Sequence, residues 1–410
     1  MSDPYEFITF GCWGELNNDN PPVYNVLTSV SQYCVNNKNC KFIIITGDNY
    51  YSMKIDKGNK ILYVDRLEKA FDALLNTLPI NIDIYLLLGN HDLANDIGEV
   101  KTEQTDKPHD NAVILNKKPE DCIILKTEID IINSRRTHNI KFPNKLTMHY
   151  IKNKTLFLMI DTTMYDIHND LSVLKKQELT DKIHCYSELD KNLTNMENIL
   201  NKQLEEISYI INNIEGEIKN VVISGHHPLI ETKIKKNKKN KETKETTETT
   251  KPTVRIKALM KSYELLNEIY NKFRDTVKYY YLCADYHCYQ EGVIKINMTS
   301  TDVMSIQHYV VGTGGAELDA AVSTGIYEVD KNIVYNVTTT MSINGFLVCK
   351  SNIEDILSFE FHEAFKFHEV LNTNPKGGKN KPKTRKIHKK KGKSSKKNRN
   401  KNKTHKSNRK

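Results

Sequence analysis

The amino-acid sequence predicts an α/β fold whose central sheet is buried on both faces. Near-continuous apolar runs alternate with segments of helical spacing, the pattern of strands covered by helices on either side. Five of the runs stop at a short polar loop: Phe7–Phe10, Phe42–Thr46, Ile84–Leu88, Val221–Ser224 and Tyr279–Cys283. The loops read Gly-Cys-Trp-Gly from Gly11, Gly-Asp-Asn-Tyr-Tyr from Gly47, Gly-Asn-His-Asp from Gly89, Gly-His-His-Pro from Gly225 and Ala-Asp-Tyr-His from Ala284. Residues of metal-ligating type therefore gather at strand ends.

The elements follow in order. Pro21–Val35 reads as a helix, since proline in the first turn gives up only an N–H that has no partner there. Lys41–Thr46 is the second strand. Asp65–Leu78 carries Leu67, Ala70, Phe71, Leu74 and Leu75 at helical spacing, and Ile82–Leu88 follows as the third strand. Ala94–Pro143 is polar and mixed, and reads as an insertion or a long loop over the site. Thr147–Ile151 and Thr155–Ile160 form a hairpin pattern, Leu193–Ile214 an amphipathic helix and Asn220–Ser224 a strand. Residues from about 231 to 252 are low in complexity and are expected to be disordered. Val254–Phe273 reads as a helix and Val277–Cys283 as a strand, and Gly292–Phe361 is strand-like.

Composition narrows the class. A chain of 410 residues with 38% hydrophobic content can bury a real core, here placed in one domain over residues 1–370. No apolar stretch approaches the roughly 20 residues that cross a bilayer. The chain opens without a basic segment leading into a long apolar one, so no signal peptide is expected. The expected setting is intracellular and cytoplasmic, with nuclear and virion-associated placements open. Eight cysteines without a Cys-x-x-Cys pair are then expected as free thiols. The net charge of +9 is a poor mean: Lys376–Lys410 holds 18 Lys/Arg and no acid, leaving 42 basic against 51 acidic residues. The body is mildly acidic and the tail, from 374 to 410, is basic, without aromatics and expected to be disordered.

Two-metal hydrolysis needs anionic oxygens, one carboxylate shared between the ions, and neutral nitrogens to complete each set of ligands. Asp48, in a tight turn after a buried strand, is the best candidate to bridge. Asn90 offers an amide oxygen, His226 and His287 offer imidazoles, and Tyr51 a phenolate suited to an acidic ion such as iron(III). Taken singly, Asp48 and Asn90 are ordinary turn residues. Their joint occurrence in this order is what points to a site.

The order Gly-Asp-Asn-x-Tyr, Gly-Asn-His-Asp, Gly-His-x-Pro and His-x-x-Gln resembles the calcineurin-like metallophosphoesterase superfamily, and within it the tartrate-resistant type of purple acid phosphatase. The resemblance runs from about Phe7 to Gly315. It implies two mixed sheets packed face to face and flanked by helices, two metal ions drawn from iron, zinc or manganese, and a phosphorylated substrate. It also implies roles: Tyr51 and His287 on the first metal, Asn90 and His226 on the second. Asn90, His91 and His227 would face the substrate, with His91 over the leaving group and Asp92 supporting it.

Two positions depart from the family pattern. Cys12 stands where the family has aspartate, and Asp285 where it has the first histidine of His-x-His. If both bind, four potential anions (Cys12, Asp48, Tyr51 and Asp285) replace the family's three, and a softer, more electron-rich first site favours zinc or iron(II). The expected function is hydrolysis of phosphate monoesters. The rival is a phosphatase fold that has lost catalysis and serves as a binding or structural module. The basic tail is expected to hold polyanions, nucleic acid included, without sequence selectivity.

Overall fold

Two mixed β-sheets pack face to face in the computed structural model. It describes residues 3–15, 21–51, 53–54, 60–76, 78–93, 99–101, 112–113, 122–135, 137–142, 145–168, 173–234, 254–259 and 261–365. The first sheet has six strands in the order Leu357–Glu363, Gly345–Ser351, Tyr5–Phe10, Cys40–Ile45, Asp83–Leu86, Asn139–Lys141. The second has eight: Gly325–Asp330, Ile333–Met341, Tyr289–Asn297, Val303–Val311, Lys278–Cys283, Asn220–Ser224, Thr155–Ile160, Thr147–Lys152. Each is parallel at its centre and antiparallel towards at least one edge.

Alternation along the strands sorts side chains between two interiors. Phe157 and Met159 face the first sheet, where Phe7, Phe42 and Phe157 meet edge to face and stacked. Leu156, Leu158 and Ile160 face the other way, onto the helices Met196–Asn212 and Ser262–Phe273. The helices Pro21–Asn36 and Val64–Leu75 cover the first sheet with the apolar faces read from their spacing. Because the central strands are parallel within each sheet, their carboxyl ends share an edge, and all five polar loops emerge there.

Several expectations are corrected. Val254–Phe273 is not one helix: Val254–Ala258 is a strand paired with Ile230–Ile234, and the helix begins at Ser262. Arg255 and Lys257 alternate with Val254 and Ile256, a two-residue period hidden by the apolar density of the segment. The expected disordered stretch at 231–252 therefore opens inside a strand, and its remainder from 235 lies outside the described residues. Ala94–Pro143 is not wholly loop, since Ile123–Ser134 is helical and Asn139–Lys141 joins the first sheet. A helix at Val173–Leu189 had no expectation at all. The eight cysteines are not all free: Cys34 pairs with Cys40 and Cys122 with Cys185, leaving Cys12, Cys283, Cys288 and Cys349 as buried thiols. Pairing is set by spatial approach, which spacing does not reveal. No described helix is long and apolar enough to cross a membrane. The described residues belong to the unit Met1–Phe367; the second unit, His368–Lys410, with the whole of the basic tail, lies outside them.

Candidate metal centre

The first two loops are zipped together by backbone. Cys12 N–H donates to Gly47 O (3.0 Å), Gly14 N–H to Asp48 O (3.1 Å) and Tyr51 N–H to Gly14 O (3.1 Å). Trp13, fully buried, donates from Nε1 to Asn49 Oδ1 (2.9 Å) and stands edge-on to Phe71. A side chain at Gly14 would collide with the backbone of Tyr50, so the close approach needs glycine. Cys12, Asp48 and Asp285 all have left-handed backbones (φ 56°, 55° and 56°), a conformation costly for residues with a Cβ. Each is therefore turned inward at its strand end by the surrounding loops.

Asp48 is the centre. Its Oδ2 accepts from Tyr51 Oη (2.7 Å) and lies 4.0 Å from Cys12 Sγ, and Tyr51 Oη is 3.0 Å from His287 Nε2. Its Oδ1 lies 3.3 Å from His226 Nε2, which is itself 3.0 Å from Asn90 Oδ1 and 3.9 Å from Asp285 Oδ1. Ligand atoms of Cys12, Asp48 and His287 lie within 4.8 Å of one another, as do those of His226, His227 and Asp285. The two replaced positions thus fall in different ligand groups, Cys12 with Asp48 and His287, and Asp285 with His226 and His227.

The donors fit cations on a specific observation. His226 Nδ1 lies 2.7 Å from Thr46 O and His287 Nδ1 2.8 Å from Glu317 O. A backbone carbonyl at Nδ1 fixes the tautomer and leaves Nε2 facing inward, the arrangement metal-bound histidines share. Around His226 Nε2 stand oxygens of Asp48, Asn90 and Asp285, a cluster of acceptors that calls for positive charge. Without a cation, protons supply it. Burial opposes charge on His226, but Asp48 and Asp285 outweigh it and lift its pKa to about 9. Burial also opposes ionisation of Asp48, yet His226 and His91 hold it well below the usual carboxylate range. Burial and the Asp48 charge push the Cys12 thiol and the Tyr51 phenol well up. A cation would replace protons on these groups.

His91 donates its backbone N–H to Asp48 Oδ1 (3.1 Å), and its ring lies against Tyr51 with centroids 4.4 Å apart. Burial lowers its pKa, so the imidazole is neutral. His227 is buried, with Nδ1 2.9 Å from Thr162 Oγ1, and burial takes its pKa down to about 4. It stands with His226 and Asp285 rather than out in an open cleft.

Asp92 holds the loops. Its Oδ1 accepts from the N–H groups of Asn49 (2.8 Å) and Tyr50 (3.2 Å). Its Oδ2 accepts from Asp48 N (3.1 Å), Asn49 Nδ2 (3.0 Å) and Gly89 N (2.6 Å). Those five bonds tie the Asp48 turn to the Asn90 turn. Glu128, fully buried, adjoins Asp92; burial and the Asp92 charge push its carboxyl pKa well up. Sequence reasoning missed Glu128, Thr46, Thr162 and Lys182, whose Nζ donates to Asn90 O (2.7 Å). Glu128 lay in the stretch expected to be an insertion or long loop, and Lys182 in a segment given no expectation, so neither carried a signal.

Residues 7–256 match a family model described as calcineurin-like phosphoesterase. No curated protein matches the chain. Among solved structures it is similar to the purple acid phosphatase PPD1 from yellow lupin (Lupinus luteus) seeds, at 14% identity and a TM-score of 0.48, over 89% of this chain and 52% of that one. It is similar to PhoD at 11% identity and 0.49, over 85% and 64%. It is similar to GAP50, the anchor in the inner membrane complex of Plasmodium, at 13% identity and 0.43, over 88% and 85%. The chain spans about half the length of the lupin phosphatase. By the family model that covers more than half of its residues, this chain belongs to the calcineurin-like phosphoesterases.

Proposed function

We propose that the chain is a binuclear phosphoesterase acting on phosphate monoesters. The observation that carries the reading is the shared carboxylate: Asp48 Oδ2 meets Cys12 and Tyr51, which reaches His287, and Asp48 Oδ1 meets His226, whose Nε2 is also near Asn90 and Asp285. On this reading Cys12, Tyr51 and His287 would hold one ion and Asn90, His226 and Asp285 the other, with Asp48 available to both and His227 in reserve beside Asp285. A thiolate on one side suits zinc or iron(II), and a carboxylate on the other suits a harder ion such as manganese. When bound, two divalent ions supply positive charge against phosphate oxygens and the means to ionise a water near neutral pH.

The chain's own residues do the rest. Asn90 and His91 face the substrate side of the turn. His91, fixed by its N–H to Asp48 and by its packing on Tyr51, presents a neutral imidazole whose one N–H can hydrogen-bond a departing oxygen. Asp92 orders the turn that carries both.

The test is metal analysis of the purified protein, followed by assays of an aryl phosphate and an aryl phosphodiester across pH with zinc, manganese and iron. Turnover of the monoester that a chelator abolishes is expected. Folded, metal-supplemented protein without turnover would sink the reading. The degenerate-scaffold alternative is separated by Cys12→Asp combined with Asp285→His: a large gain from near zero favours it, and a loss or no change favours an adapted site. The basic tail adds a separate role on this proposal, non-specific polyanion binding, which a tail-deleted chain of unchanged, salt-insensitive affinity for nucleic acid would exclude.

A further inference from the structure

We propose that Lys182 is a positioning residue for the turn carrying Asn90 and His91, an inference whose catalytic part rests on the phosphoesterase reading. Lys182 lies on the helix Val173–Leu189 and is 3% exposed. Its Nζ donates to the backbone carbonyl of Asn90 at 2.7 Å, across 92 residues of sequence. An ammonium taken out of water costs several kcal/mol unless it is paired and hydrogen-bonded. A lysine kept there for packing alone would be better replaced by methionine or leucine.

The turn Gly89–Asp92 is anchored to residues 48–50, whose four donors meet the Asp92 carboxylate. Its first N–H closes on its own Asp92, and the His91 N–H reaches Asp48. Both bonds are made on the Asp48 side. The Asn90 carbonyl is gripped on the opposite side, and Lys182 is what grips it. That bond fixes the peptide between Asn90 and His91, hence the direction in which the Asn90 amide oxygen meets His226 Nε2 (3.0 Å) and the His91 ring meets Tyr51. The charge of Lys182 also reaches His91, Asp161 and His227, so its ammonium stands within the field of the second side of the centre.

The lysine is itself held. Three residues on, Cys185 is bonded to Cys122, which opens the helix Ile123–Ser134, and Cys185 Sγ lies 4.0 Å from Leu93 O, just past the turn. That second helix carries Glu128, the acid beside Asp92. Two helices clipped by one disulfide thus bear on the four-residue turn, Lys182 bonded to Asn90 and Glu128 beside Asp92.

The experiment compares the full-length wild type with Lys182→Met and Lys182→Arg. Amide exchange of the peptide spanning residues 89–92 is read in metal-free protein, and zinc and manganese binding is titrated with stoichiometry. In Lys182→Met, exchange at 89–92 rises about tenfold or more while the strands Cys40–Ile45 and Asp83–Leu86 are unchanged. One of the two ions binds about 10–100-fold more weakly, the usual loss for removing an outer partner of a metal ligand. Lys182→Arg, which keeps a charged donor, recovers most of both. Unchanged exchange at 89–92 in Lys182→Met overturns the proposal. So does faster exchange with both affinities intact, or a uniform loosening of all peptides, which would mean a purely structural lysine. Wild type that binds no ion removes the phosphoesterase reading, and the exchange arm then decides on Lys182 alone.

Discussion

The buried network around His308 makes an acid-stability prediction that can be worked from hydrogen-bond directions. His308 is fully buried in the strand Val303–Val311. Gln290 Nε2 donates to Tyr335 Oη (2.8 Å), and Thr232 Oγ1 to Gln290 Oε1 (2.9 Å). Tyr335 Oη is 2.8 Å from His308 Nδ1, His308 Nε2 is 3.5 Å from Cys283 Sγ, and Cys283 donates to Tyr309 O (3.4 Å). With Gln290 giving its N–H to the tyrosine oxygen, the tyrosine gives its proton to Nδ1, and Nε2–H points at sulfur. Only a neutral imidazole satisfies this chain, and burial drives the His308 pKa down to about 3 from an ordinary 6.5. Below 6.5 the unfolded chain binds a proton that the folded one refuses. Stability is therefore complete above 6.5 and is lost as pH falls towards 3, at about 1.4 kcal/mol per unit. By pH 5 the loss from this one group is about 2 kcal/mol. Urea unfolding with chelator present, at pH 7.5, 6.5, 5.5 and 4.5, gives the slope. In His308→Gln, which cannot titrate, the slope between 6 and 4.5 falls by about 1.4 kcal/mol per unit. Equal slopes in the two proteins would refute the argument.

Four further outcomes are expected. Gly89→Ala places a methyl against Oδ1 and N of Asp48, so metal binding measured by titration is lost and thermal stability falls; wild-type affinity would show that the two turns can separate. Asp92→Ala removes five bonds and orphans four backbone N–H groups, each costing about 1–3 kcal/mol when buried, and lowers the urea midpoint sharply; an unmoved midpoint would mean that water replaces the carboxylate. Cobalt-loaded protein shows a thiolate-to-cobalt absorption band that Cys12→Ser removes, and a wild type without the band would take Cys12 out of the ligand set. Denatured without reductant, the chain titrates four thiols, and eight after reduction; eight at the outset would deny both cysteine pairs.

The five strand-end loops were legible because each joins a short apolar run to a turn with metal-ligating residue types, Cys in the first and Asp, Asn or His in the other four. The shared edge of the sheets then brings Asp48, Asn90, His226 and His287 together. What was hidden depends on what approaches from elsewhere. Asp92 reads as a helper of His91, yet its five donors come mostly from residues 48–50. Lys182 and Glu128 sit in helices that the sequence did not reveal, the first in a polar segment and the second inside a stretch read as loop. The strand Val254–Ala258 was absorbed into the helix that follows, since both are rich in apolar residues and only a two-residue period over five positions separates them. Cysteine pairing gave no signal, because Cys122 and Cys185 meet only once two helices pack.

The placement of the replaced residues changes how they are to be understood. Placed together on one side, Cys12 and Asp285 would overload a single ion with negative charge and starve the other. Placed in different ligand groups, they meet different partners, although the Asp285 charge still reaches the Cys12 thiol. Cys12 stands for a carboxylate, so its side keeps its charge once the thiol is ionised and becomes softer. Asp285 stands for an imidazole, so its side gains a negative charge and becomes harder. The left-handed backbones at both positions hold these side chains inward at a cost of order 1 kcal/mol or more each, a cost that loops free to relax would shed. A site decaying without a role has no reason to keep two strained, inward-facing donors whose contacts still converge on one carboxylate. Their persistence, with the carbonyl-fixed tautomers of His226 and His287, argues for an altered centre over an abandoned one.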